Sequence, residues 1–371
     1  MRGPGVMLSQ FMGDVAPFDS LSNVVRWLAG LGYAGVQVPV LDRRLIELER
    51  AATDDAYCRE LRALLADHGV EISELSAHRP GQLMAVNPAY SGIVDVFADA
   101  SVRGDAAARS AWAERQMTLA IEAAARLGLR QVATFSGAFA WPFFYPYPPP
   151  PPGLIGAAFE ELARRWRPLL DQAEHAGVDL CFELHPGEDL HDGVTFDRFL
   201  DLVDGHRRAR ILYDPSHMLL QHMDYLGFIE LYGERIGAFH VKDAEFQRSA
   251  RSGVYGGFQD WVRRPGRFRS PGDGQVDFKG IFSRLAANGY AGWAVLEWED
   301  PLKRKEDGAR EGARFIARHM LSPPDSAFDD AMRGTLDRTA ARRILGIAPG
   351  APSRLSAVRC GSASSAAPHP P

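Results

Sequence analysis

The feature that most constrains this chain is a spacing. Eight short apolar runs recur through it: "GVMLSQ" (5–10), "GVQVPV" (35–40), "VEISELSAH" (70–78), "RQVATFSG" (130–137), "VDLCFELHP" (178–186), "RILYDPSH" (210–217), "IGAFHVKD" (236–243) and "GWAVLEWED" (292–300). Several are nearly continuous in apolar residues, as strands covered on both faces should be. Helix-length segments fill the gaps. Ser20 or Ser22 can cap Leu21–Leu31, Thr53 can cap Asp54–His68, and Thr195 can cap Phe196–Val203. Ala106–Leu127 stops at Gly128, Leu154–Ala176 stops at Gly177, and Phe278–Asn288 leads into the eighth run. Strand and helix alternating eight times predict a (β/α)8 barrel over residues 1–320. An open doubly wound sheet is the competing arrangement, but no G-x-G-x-x-G follows the first run.

Three segments break the repeat. "GAFAWPFFYPYPPPPPG" (137–153) follows the fourth run, and its prolines forbid a regular helix or central strand. Residues 244–277 form a long Gly- and Arg-rich connection between the seventh and eighth runs. Beyond the barrel, residues 321–347 read as a helical extension and 348–371 as a disordered tail rich in Ala, Ser and Pro.

Composition narrows the function classes. The 371 residues are 46% hydrophobic and 24% charged, with a formal net charge of −5. That balance does not suit a polyanionic partner, so no nucleic acid is expected. Three widely spaced cysteines offer neither a disulfide framework nor a cysteine zinc site, which suits the cytoplasm. The opening residues carry no long apolar stretch, so neither a leader nor a membrane span is expected.

Barrel active sites lie where strands end. The fifth run ends in Glu183 and His185, and the sixth in Asp214 and His217. The seventh ends in His240, Lys242 and Asp243, and the eighth in Glu297, Glu299 and Asp300. Glu183 and Asp214 are 31 residues apart, and Asp214 and His240 are 26 apart. One β/α unit is roughly 30 residues, so these groups should stand at matching heights around half the rim. Three carboxylates and an imidazole brought together repel unless a cation balances them. Their donor set suits Mn²⁺ or Mg²⁺ first, with Co²⁺ or Zn²⁺ as alternatives. Such an ion polarises a carbonyl and acidifies the neighbouring C–H, and a nearby carboxylate can move the proton. Any one of these residues alone is more often a satisfied rim side chain. The four together at barrel spacing favour a site. His185 and His217 read as supporting groups or substrate contacts. Lys242 reads as a substrate cation or as a partner for Asp243. Glu74 and His78 fall off the site if the third strand alternates strictly. Trp141 and its aromatic neighbours form a sugar-stacking wall, a plug over the barrel mouth, or the seam of a homo-oligomer.

The motifs "CFELHPGEDLHDG", "LYDPSHM", "AFHVKDAEF", "SPGDGQVDF" and "VLEWED" resemble those of the xylose isomerase-like barrel family of sugar (phosphate) isomerases and epimerases, from about residue 5 to about residue 320. The resemblance implies one divalent metal on Glu183, Asp214, His240 and Glu297, with Glu183 and Glu297 exchanging the proton beside the carbonyl. It also implies that His217 touches substrate. After His240 the chain departs from the ketose epimerases. Val241, Lys242 and Asp243 stand where those enzymes usually continue with Gly-Glu and a substrate-holding Arg. With the two long segments, this points away from a free ketohexose and toward a keto-glycoside or an inositol derivative.

The expected activity is that of a metal-dependent sugar isomerase or epimerase working through an enediolate on a small carbohydrate. A lyase or dehydratase acting on a keto sugar or keto-glycoside is the nearest rival, because the same enediolate can expel a β-substituent. A non-catalytic sugar-binding barrel sits poorly with intact acid/base carboxylates. A phosphodiesterase like the barrel apurinic endonucleases needs further His and Asp ligands and a basic groove, and no D-x-H motif follows the seventh run.

Overall fold

The structure is a computed structural model describing residues 1–322, 328–330, 334 and 336–347. It contains strands β1 (Arg2–Met7), β2 (Gly35–Pro39), β3 (Glu71–Ser76), β4 (Gln131–Thr134), β5 (Asp179–Glu183), β6 (Ala209–Tyr213), β7 (Ile236–Val241), β8 (Asp243–Phe246), β9 (Gly266–Arg269) and β10 (Trp293–Leu296). Eight of them close a parallel barrel in the order β1-β10-β7-β6-β5-β4-β3-β2. This is the (β/α)8 barrel that the eight runs predict. The remaining two, β8 and β9, pair antiparallel inside the 244–277 connection, which is therefore a folded insertion.

The helices form where the sequence marks them. Ser20 caps Leu21–Leu31 by accepting from the Asn23 amide, and Gly32 ends it in the left-handed region. Val24, Val25 and Leu28 face the barrel and are fully buried. Each such side chain is worth about 1.5–3 kcal/mol over leaving it exposed. Two caps differ from expectation. Asp54, not Thr53, caps Asp55–Ala66, because its carboxylate reaches two amides, while Thr53 closes a separate helix, Leu48–Thr53. Asp192 caps Gly193–Leu202, and Thr195 acts as the reciprocal member of a capping box.

Inside the barrel, Ala133, Cys181, Leu212 and Ala238 form one small apolar layer. Three of the four are small, so the interior is not filled by bulky side chains at that level. Polar groups crown it at the strand ends.

The chain divides after Leu321. In the second unit the described residues include one helix, Arg338–Ile344. The segment 348–371, expected as a disordered tail, lies outside the described residues. Among the described residues, no helix is long and apolar enough to cross a membrane.

Candidate active site

The ends of β5, β6, β7 and β10 converge. One ligand atom from each of Glu183, Asp214, His240 and Glu297 lies within 4.8 Å of the others, and all four residues are buried. Strand register produces this. Glu183 pairs with Leu212, Tyr213 with Phe239, and His240 with Val295, so the four groups share one height on the rim. Asp214 follows its strand directly and is fixed by the Ser216 amide at 2.8 Å.

Asp214 Oδ2, His240 Nδ1 and Glu297 Oε2 are buried and meet only ionisable groups of the same cluster: His240 Nδ1 lies 2.7 Å from Glu297 Oε2, and Asp214 Oδ2 faces His217. Three carboxylates with one imidazole are the donor set of a hard or borderline divalent cation, so the residues present fit such an ion.

The surrounding groups hold the cluster. Glu183 lies between two imidazoles, His78 Nε2 at 2.9 Å and His217 Nε2 at 3.2 Å. His217 Nε2 is also 3.1 Å from Asp214 Oδ2. The Gln37 amide nitrogen is 2.9 Å from His240 Nε2 and donates to Glu74 Oε1 at 2.7 Å. Gln10 donates to Glu297 Oε1 at 3.4 Å. Lys242 is buried, with Nζ 2.8 Å from Glu299, 3.4 Å from Glu297 and 3.8 Å from Asp214, and 4.2 Å from the centre of the Phe268 ring.

The reading of Lys242 as a partner for Asp243 does not hold. Lys242 lies between β7 and β8, and its ion partners are Glu299, Glu297 and Asp214. Asp243 instead accepts from the amides of Ala244, Gly272, Gly274 and Val276 and pins the connection to β10.

Electrostatics follow from these contacts. Burial would raise the Glu183 carboxyl, but His217 and His78 outweigh it and hold it well below the usual range. Burial also opposes ionisation of Glu297, where Lys242 chiefly reverses the effect and leaves the carboxyl lowered. Burial disfavours the Lys242 ammonium, yet Glu297, Glu299 and Asp214 raise it well above its ordinary value. His185 is pushed down to about 3 by burial and then by His217, whose ring is 4.1 Å away, so it is a neutral imidazole.

Trp141 stacks on Phe144 at 4.7 Å and meets His191 edge-on at 5.0 Å. The aromatic segment also reaches the insertion, with Phe144 and Tyr145 against Tyr255. Strict alternation misplaced Glu74 because the β2–β3 register slips by one residue beyond Val36, and it misplaced His78 because that residue lies past the strand. Gln37 carried a signal, a polar residue inside the apolar run "GVQVPV". Phe268 carried none.

A family model described as xylose isomerase-like TIM barrel matches residues 25–319. The chain belongs to that family. A curated relative, the inosose dehydratase of Lacticaseibacillus casei, is 31% identical over 147 residues, 39% of this chain and 49% of the relative. The rhizopine catabolism protein MocC of Rhizobium meliloti is 34% identical over 188 residues, 48% of this chain and 56% of the relative. The chain thus spans about half the length of the curated relatives it matches. Among solved structures, L-ribulose 3-epimerase covers 95% of this chain and 100% of its own at TM-score 0.55 and 18% identity, a likeness of fold.

Proposed function

We propose that this protein is a divalent-metal-dependent sugar isomerase or epimerase that moves a proton at the carbon beside the carbonyl of a keto sugar. The observation that carries the reading is the pair of buried carboxylates, Glu183 and Glu297, both favoured in their charged form and both belonging to one four-residue ligand cluster. Glu183, Asp214, His240 and Glu297 would hold the ion, with Mn²⁺ or Mg²⁺ the best match to the donors. When bound, the ion supplies polarisation of the substrate carbonyl, which acidifies the adjacent C–H. One of the two glutamates removes that proton and becomes a carboxylic acid, and the other delivers to the enediolate a proton that it takes from its cationic neighbour, His217 for Glu183 or Lys242 for Glu297. His78 and His217 orient Glu183, and Lys242 with Gln10 orients Glu297. His185, His217, Lys242 and Trp141 are the proposed substrate contacts.

Elimination is the second reading. Lys242 and His217 are proton donors beside the acid/base pair, and His217 is raised to about 9, chiefly by Asp214 against the effect of burial. After the α-proton is taken, the electron pair can form a C=C bond while a β-hydroxyl leaves with a proton from either cation, as water. The relatives named inosose dehydratase support this outcome.

Metal analysis followed by incubation in D₂O with keto sugars, inososes and keto-glycosides tests both. About one metal per chain and deuterium at the α-carbon without loss of water is the expected result. Loss of water with a new conjugated chromophore would establish elimination instead. Three metals per chain, or salt-sensitive binding to abasic duplex DNA, would overturn both readings.

A further inference from the structure

A cavity of about 800 Å³ opens at the end of the barrel opposite the metal ligands, where the strands begin. Four arginines line it: Arg2, Arg62, Arg130 and Arg210. Three carboxylates line it too, but two are engaged. Glu71 pairs with Arg2 at 2.7 Å, and Asp179 pairs with Arg208 at 2.9 Å. Glu234, the third, is exposed. Arg62 donates to the Leu127 carbonyl.

Arg210 is the unusual member. It lies two residues before Leu212, which packs in the small apolar layer inside the barrel. Strand alternation gives both side chains the same face, so Arg210 points inward from the barrel floor. Room for it comes from Gly237, where a Cβ would lie 2.7 Å from Cys181 Sγ and 3.2 Å from the Arg210 Cβ. Its Nε is buried with no hydrogen-bond partner. The buried Ser73 hydroxyl, beside Glu74, lines the same cavity. Arg130, at the rim, has no ion pair among the described residues. Arg210 is half-buried and makes no ion pair among the described residues, and guanidinium donors facing a cavity of small-molecule size are matched by an acceptor-rich anion.

We infer that this cavity binds a small oxyanion, the phosphate group of a metabolite, with Arg210 as its main contact and Arg130 and Ser73 beside it. A guanidinium fork engages phosphate through two parallel hydrogen bonds, which a point charge cannot reproduce. The site is separate from the proposed reaction centre and does not depend on it.

Calorimetry with inorganic phosphate on the metal-loaded, full-length protein tests this, at ionic strength held constant with chloride. Saturable binding is expected. Arg210→Met should weaken it by at least about tenfold, and Arg130→Met by less, with metal stoichiometry unchanged. If Arg210→Met does not fold, Arg210→Lys carries the test, because it keeps the charge and loses the fork. No saturable binding to the parent protein would overturn the proposal. So would an unchanged affinity in the Arg210 variant, which would place the anion elsewhere, at the metal first of all.

Discussion

The two halves of the barrel wall contribute differently to one site. β5, β6, β7 and β10 supply Glu183, Asp214, His240 and Glu297, whose buried atoms face one another. β1 to β3 and the residues just beyond them supply Gln10, Gln37, Glu74 and His78, each touching a member of the first set or its neighbour. The first half concentrates charge, and the second fixes where that charge points. A cluster of carboxylates needs both, because like charges brought together without orienting partners would separate or take up protons.

The largest effect expected from this division is on chemistry. Glu183→Gln and Glu297→Gln keep the shape of the site and remove the proton-transferring group. Each should lower turnover on metal-loaded protein by about a hundred- to ten-thousand-fold. Metal content must be measured on the same samples, since both residues are also proposed ligands. Near-normal turnover in either variant would break the assignment of the chemistry to this half.

A smaller effect should come from the supporting half. Gln37 touches no reacting atom in this scheme and acts through His240, so it is a positioning residue. Gln37→Leu keeps the side chain's bulk but frees the imidazole and leaves Glu74 without its donor. Metal affinity should fall about ten- to a hundredfold, read by chelator competition, while circular dichroism stays unchanged. Unchanged affinity would mean that β2 only fills space beneath the site.

The same division explains what was legible in the sequence. The half that carries the proposed ligands was readable as a cluster because four polar residues recur at the ends of apolar runs with the spacing of a β/α unit. The supporting half was only partly readable. Gln37 interrupts an apolar run, but a buried glutamine has many ordinary explanations. Glu74 is carried to its place by a register slip between β2 and β3, which no residue pattern marks. Phe268 comes from β9, inside an insertion read only as a long connection. Its pairing with β8 depends on Glu245 meeting Arg267 at 2.6 Å and Arg269 at 2.9 Å, contacts between residues more than twenty apart in the chain.

The smallest effect belongs to the edge of the first half, where the chain leaves β5 at Glu183 and reaches a second buried glutamate, Glu188. The two carboxyls are held in opposite directions. Glu183 has imidazole partners and is lowered. Glu188 is raised to about 8, chiefly by burial and further by the nearby carboxylates Asp189 and Glu183. Its carboxyl accepts from the Gly137 amide at 2.6 Å, and Asp189 accepts from the amides of Phe139, Ala140 and Trp141. Together they fasten the start of the aromatic segment. Gly137 has φ of +79°, and a Cβ there would lie 2.6 Å from the Ala85 nitrogen, so backbone alone can make this approach. The folded protein keeps the Glu188 proton up to about pH 8, whereas the unfolded chain gives it up near 4.5. The folded state thus binds more protons across that window, so this group's contribution to stability falls as pH rises through it and levels off above 8. Glu188→Gln retains an acceptor for Gly137 and has no proton to lose. Its stability relative to the parent should therefore increase between pH 5 and pH 8.5, by up to about 1.4 kcal/mol for each pH unit over which only the folded state holds the proton, measured by urea unfolding at both pH values. A difference that does not change with pH would show that Glu188 titrates as an ordinary carboxylate, and the contrast between the two glutamates would then rest on hydrogen bonding alone.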